Sequence, residues 1–302
     1  MSYSLEERLV IGISSRALFD LEEENRVFEE EGLEAYSIYQ REHENDILKP
    51  GTGFKLVKAL QNLKVGDSKV AEIIIMSRNS ADTSLRIFNS IEHYGLDITR
   101  AALAGGSRIE PYLDAFDTDL FLSANEEDVQ DAVNAGIAAG LICPAVYDEN
   151  EIDVIKIAFD GDAVIFSDEA EKIYKEKGLE AFSEHERANA KKPLPEGPFA
   201  KFLKTISYIQ EQFEADRAPI RTALVTARCA PAHERVIRTL RAWGVRVDEA
   251  FFLGGIEKSR VLASFGADIF FDDQQLHIAP ASKYVPSARV PYKEEQTSIE
   301  KA

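Results

Sequence analysis

The sequence predicts an α/β fold of two tandem Rossmann-like parallel-sheet domains, the second carrying a small helical cap insert. Three observations support it. Short apolar strands alternate with amphipathic helices, the chain repeats itself at a nearly constant offset, and polar residues collect at the ends of the second set of strands. Alternating strand and helix, with strands apolar along their whole length, implies a parallel sheet covered on both faces.

The strands of the second set read VIKIAF (154–159), RTALVT (221–226), EAFFLG (249–254) and DIFFD (268–272). Between them lie stretches such as AHERVIRTLRAWG (232–244), where Val236, Ile237, Leu240 and Trp243 keep the 3- and 4-residue spacing of one helix face. The repeat appears when residues 17–60 are shifted by 146 onto 163–206, which gives 13 identities in 44 positions. A shift of 149 lays 95–129 over 244–278 with 8 identities in 35, and matches AALAGG (101–106) to AFFLGG (250–255). A unit of roughly 150 residues is too long for a solenoid repeat and has the size of a domain. The expected organisation is a first copy over 1–148 and a second over 149–291, followed by a polar tail over 292–302. Within the second copy, 164–219 is too long for a βα connection and is read as a cap over the strand ends, broken by the loop KKPLPEGP (191–198).

With 302 residues, 45% of them hydrophobic, the chain has enough apolar content for one large or two medium domains. A net charge of −18 repels nucleic acid polymers and anionic membrane surfaces. A small anionic substrate stays compatible, because a metal or a few cations can reverse the sign inside one pocket. Two cysteines, Cys143 and Cys229, form no metal or disulfide pattern. With no signal-peptide core and no membrane-length apolar run, a cytoplasmic, soluble protein is expected; association into a homo-oligomer stays open.

In open α/β sheets the active site lies at the carboxyl ends of the strands. There the second copy places Asp160-Gly161-Asp162, Thr226-Ala227-Arg228 and Asp272-Asp273, with Lys258 near the start of the helix after the third strand. Carboxylates with one lysine and one hydroxyl suit magnesium-dependent phosphoryl transfer. The hard cation takes oxygen ligands, an aspartate forms an acyl phosphate, and a second carboxylate moves protons. Lysine and hydroxyl then hold the equatorial oxygens, where transition-state charge is spread.

These elements, in this order, resemble the motifs of the haloacid-dehalogenase-like phosphatase superfamily. The resemblance implies Asp160 as nucleophile, Asp162 as general acid/base, and Thr226 and Lys258 as phosphate ligands. It also implies magnesium held by Asp160, Asp272, Asp273 and the main-chain carbonyl of Asp162. ISSRALFD (13–20), HEN (43–45), FDGDAVIFSDE (159–169), KPL (192–194), LVTAR (224–228) and IFFDDQ (269–274) further resemble the cytosolic type-I 5'-nucleotidases, over roughly residues 8–291. That likeness implies hydrolysis of nucleoside 5'-monophosphates, AMP prominently. Other substrate-contact candidates are Ala227 and Arg228 beside Thr226, where Arg228 either steadies the phosphate or pairs with an acid, and His185 and Lys191 (with Lys192) in the cap; Phe182 is read as core packing and His277 as a structural hydrogen bonder. A different small phosphoester such as a sugar phosphate, or nucleotide sensing without turnover, are the rival readings.

In the first copy Asp160 becomes Ser14, Asp162 becomes Arg16, Lys258 becomes Ile109, and Asp272 and Asp273 become Ser123 and Ala124. With a shift of 150, Thr226 falls on Met76. The first copy is therefore expected to keep the fold without magnesium or hydrolysis. Either it packs against the working copy, or it holds an anion through Ser14–Arg16, Arg78 and the loop AGGSR (104–108).

Overall fold

The computed structural model describes residue 5 and residues 8–144 and 150–294. The expected boundary at 148/149 and residues 295–302 of the tail lie outside the described residues. The main strands in chain order are β1 (Leu9–Ile13), β2 (Ala71–Ser77), β3 (Arg100–Leu103), β4 (Leu120–Ser123) and β5 (Ala138–Ile142). Then come β6 (Ile155–Phe159), β7 (Ile220–Thr226), β8 (Glu249–Phe252), β9 (Ile269–Asp272) and β10 (Ser287–Arg289). Every residue of β1 and β2 is buried, which explains the unbroken apolar runs LVIGI and IIIM: both sheet faces are covered.

All ten strands belong to one sheet, in the order β8-β7-β6-β9-β10-β5-β4-β1-β2-β3. Read outward from the centre, the two sets of five have the same order. Pairing is parallel within each set, and the sets meet along an antiparallel seam where Ala288 faces Ile142 and Arg289 faces Leu141. The strands of one set therefore run against those of the other, and their carboxyl ends lie on opposite edges of the sheet. The seam strands β5 and β10 are short and carry no strong alternation, so they escaped the sequence reading.

Equivalent hydrogen bonds recur in both halves. Asp119 accepts from the amide of Val10 at 2.9 Å, and Asp268 from that of Lys156 at 2.8 Å. Arg86 Nε donates to the carbonyl of Asp46 at 2.8 Å, and Arg235 Nε to that of Lys192 at 3.0 Å. The long helices Glu22–Glu42 and Glu169–Ala188 are both kinked, at Gly32 (φ 86°) and Gly178 (φ 79°), a backbone conformation that glycine adopts without Cβ strain.

The 164–219 insert divides into two parts. The helix Glu169–Ala188 rides over the strand ends with few buried residues. The helix Ala200–Gln210 instead buries Phe202, Leu203, Ile206 and Ile209 and lies against β1 and β5 of the other half. Reciprocally, the first-half helix Phe54–Leu60 lies against β6. The apolar core is therefore shared across the seam. Among the described residues no helix is long and apolar enough to cross a membrane.

Candidate active site

Strand β6 ends at Phe159, and the chain leaves the sheet at Asp160 through a tight turn over Gly161–Ile165. Gly161 sits against Thr226, whose hydroxyl oxygen would lie 3.3 Å from an added Cβ, so the turn and the end of β7 are closely apposed. Asp160, Thr226, Lys258, Asp272 and Asp273 are all buried, at 5% exposure or less. Lys258, at the start of the helix Ser259–Phe265, reaches between two strand ends. Its Nζ donates to Asp160 Oδ1 at 2.5 Å and to Asp272 Oδ2 at 2.6 Å. Asp272 also accepts from the amide of Gln274 at 2.8 Å and lies 3.1 Å from His277 Nδ1.

Asp162 points to a second cationic group. Arg228 grips it with a two-pronged fork, Nε to Oδ2 at 2.8 Å and Nη2 to Oδ1 at 2.6 Å. The third arm of Arg228 meets Glu186 at 2.5 Å, and Glu186, with its side chain fully buried, also accepts from Arg235 at 2.8 Å. Of the two roles expected for Arg228, steadying phosphate or pairing with an acid, the geometry displays the pairing, with two carboxylates. Phe182 is half-buried with the Arg228 guanidinium 5.4 Å over its ring, so it packs on a cation. His185 Nε2 lies 3.4 Å from Arg235, at the edge of this network. Ala227 is exposed on the bend after β7, and Lys191 is exposed on the turn after the long helix.

The charges do not balance. Burial, opposed by Lys258 and helped by Asp272 and Asp162, pushes the Asp160 carboxyl up to about 7. Burial, followed by Asp160 and Asp272, pushes Asp273 up to about 8. Burial would raise Asp272 too, but its bond to His277 and the charge of Lys258 outweigh it and hold that carboxyl below its usual value. Burial lowers Lys258, and Asp160 with Asp272 more than restores it. Crowded acids with too few cations hold on to protons.

Asp273 shows where further positive charge fits. One of its oxygens accepts from the Tyr292 hydroxyl; the other, Oδ1, is buried without a partner. The same hydroxyl oxygen lies 2.9 Å from Glu171, so its one proton is shared between the two carboxylates, and Lys175 lies 2.7 Å from Glu171. An orphaned carboxylate oxygen beside proton-retaining acids is a fitting donor set for a hard cation. No group of three His, Cys, Asp or Glu side chains among the described residues is gathered as a ready-made cage. Magnesium does not need one, because it keeps several waters and binds through one or two carboxylates together with substrate phosphate. Asp160, Asp272 and Asp273 fit that role; the side chain of Asp162 faces Arg228.

A model of the 5'-nucleotidase family matches residues 1–297. The chain belongs to the 5'-nucleotidase family. It is 41% identical over 288 residues to human cytosolic 5'-nucleotidase 1B, an alignment covering 91% of this chain and 47% of that protein. It thus spans about half the length of that curated relative. No solved structure matches it.

Four residues around the site of this 5'-nucleotidase family member were invisible in the sequence: Glu171, Glu186, Arg235 and Tyr292. Each lies on a helix face or tail that reads as ordinary solvated charge. The only hint was the repeat, which puts uncharged Asn25 and Gln40 opposite Glu171 and Glu186. One correspondence needs correcting. Ser77 pairs with Leu103 at the end of β2 as Thr226 pairs with Phe252 at the end of β7. Each hydroxyl accepts the amide two residues on, at 3.2 Å in both. The counterpart of Thr226 is therefore Ser77 rather than Met76; the repeat's gap lies elsewhere than the shift of 150 assumed, and the first half keeps this hydroxyl.

Proposed function

We propose that the chain is a magnesium-dependent 5'-nucleotidase that hydrolyses nucleoside 5'-monophosphates, AMP among them, through an aspartyl phosphate on Asp160. The haloacid-dehalogenase-like motifs and the cytosolic character of the human relative's name support this reading, and a haloacid-dehalogenase-like domain in each half is part of it. The observation that carries it is the meeting of Asp160, Asp272 and Lys258 at the carboxyl ends of β6 and β9, with Asp162 one turn away.

Asp160 attacks phosphorus, and the bond to the nucleoside oxygen breaks. Lys258, already bridging Asp160 and Asp272, is placed to take up a phosphoryl oxygen when substrate arrives, and the Thr226 hydroxyl lies beside the same turn. Magnesium held by Asp160, Asp272 and Asp273 would supply the positive charge that keeps Asp160 ionised and offsets the charge of the phosphoryl oxygens. Asp162 gives a proton to the leaving oxygen and then takes one from the water that opens the acyl phosphate. To do so it must slip at least one tooth of the Arg228 fork. Arg228 itself stays anchored by Glu186 in the helix over the strand ends.

Phosphate release from a panel of monophosphates, with and without magnesium, tests the reading. The expected result is turnover of nucleoside 5'-monophosphates that chelation abolishes and Asp160→Asn removes. Activity surviving Asp160→Asn would overturn the mechanism, and preference for a sugar phosphate would replace the substrate.

A further inference from the structure

At the carboxyl edge of β1, β2 and β4, the mirror position of the acid cluster, the first half has a cavity of about 450 Å³. That volume lies in the range of small-molecule sites, roughly 300–1,000 Å³. Its chemistry is inverted. Where the second half has Asp160, Thr226 and Asp272, this cavity is floored by the hydroxyls of Ser14, Ser77 and Ser123. Arg16 stands at the place of Asp162, and Arg78 joins it in the lining.

Both arginines keep a donor in reserve. Arg16 donates to Asn25 at 2.7 Å and to Glu22 at 3.2 Å, yet its Nε is buried without a partner. Arg78 donates to Asp128 at 2.6 Å and Glu127 at 2.9 Å, yet its Nη2 is likewise buried and unpaired. The two arginine side chains stay 30% and 28% exposed in the lining, so they present positive charge to an anion's oxygens in the cavity. The acids in the lining do not compete for that role: Asp128 is held by Arg78, and Glu24 by Arg86 at 2.5 Å. At the mouth Phe28 is 47% exposed and meets Tyr36 edge-on at 5.8 Å. An aromatic face at that place suits a planar ring.

We infer that this cavity is a second, metal-independent binding site for a small phosphomonoester bearing a planar ring. The phosphate sits among Arg16, Arg78 and the three serines, and the ring lies on Phe28. The site lacks the attacking carboxylate, so it holds its ligand without hydrolysing it.

Calorimetric titration of the full chain with AMP in the presence of a chelator tests this, with adenosine and orthophosphate as parallel arms. The expected result is saturable AMP binding without metal, weaker binding of orthophosphate and none of adenosine. Arg16→Gln should weaken AMP by about tenfold or more, as expected for losing a charge-assisted contact. Ser123→Asp removes no existing contact of either arginine and puts a repelling carboxylate on the cavity floor, so it should weaken AMP at least as much. Lys258→Ala, in the other half, should leave this binding intact. The inference is overturned by no binding under chelation, by binding that both first-half variants leave unchanged, or by binding lost in Lys258→Ala alone.

Discussion

Replacing Asp273 by asparagine changes one buried charge and little else, and the structure sets how its effect varies with pH. In the metal-free chain the Asp273 carboxyl is raised to about 8, by burial and then by Asp160 and Asp272. The unfolded value is about 3.9, so the folded chain binds this proton more tightly. The stabilisation that follows is fully present below about pH 4 and is lost as pH rises through about 8. Between pH 6 and 8.5 the wild-type chain crosses some two units of that window, at about 1.4 kcal/mol per unit. The carboxamide of the variant does not titrate. Relative to wild type, the Asp273→Asn variant should therefore gain roughly 3 kcal/mol across that interval, a melting-temperature gap opening by about 5 °C. The assay is thermal denaturation of both proteins under chelation at the two pH values. Comparing the two chains cancels the general effect of pH on a protein of net charge −18. Saturating magnesium should close the gap in the wild type by supplying the missing charge. A gap that stays flat or narrows with rising pH would refute the reasoning, because Asp273 would then not be held in a carboxylate-crowded, cation-poor site.

Three further outcomes follow from the geometry. Arg228→Met strands Asp162 and leaves Glu186, fully buried, with Arg235 as its remaining arginine. Breaking a buried pair in this way should cost about 3–5 kcal/mol in denaturant unfolding, and a cost under about 1 kcal/mol would mean the network is not formed. Gly197→Ala would put a Cβ 2.4 Å from the carbonyl oxygen of Phe166 and 2.5 Å from that of Val164. Backbone cannot yield as a side-chain tip does, so soluble expression or melting temperature should fall by the equivalent of about 2 kcal/mol or more, while Gly66→Ala, with open space around its Cβ, should show only the smaller strain of its positive φ. Tyr292→Phe removes the hydroxyl that serves Asp273 and Glu171 together, and should cost about 1–3 kcal/mol in metal-free stability. Equal melting temperatures for the Tyr292→Phe and wild-type chains would show that water replaces the hydroxyl.

The sequence by itself carried the repeat, the parallel sheet and the four chemical stretches of the second half. The reasons are physical. Strands buried on both faces must be largely apolar, as LVIGI and the ALV of RTALVT are, and residues leaving a strand's carboxyl end have no sheet to satisfy them, so acids there stand out against the apolar run. The loss of those acids from the first half was equally legible, because substitution of a charge by Ser or Ala is visible without coordinates. The replacement of Thr226 by Met76 was not read correctly, since a one-residue error in register across a gap exchanges a hydroxyl for a buried thioether, and only strand pairing fixes the register.

Tertiary structure decided the rest, and in each case the deciding quantity is a distance between residues far apart in the chain. Glu186 and Arg235 look like solvated helix charges until folding buries them against Arg228. Tyr292 belongs to a polar tail until the backbone after β10 turns it toward Asp273. Whether two similar halves form separate bodies or one sheet depends on the short pairing of β5 with β10, which local propensity does not encode. That seam also sends the two sets of strand ends to opposite edges, so the acid cluster and the arginine-lined cavity lie apart in one molecule.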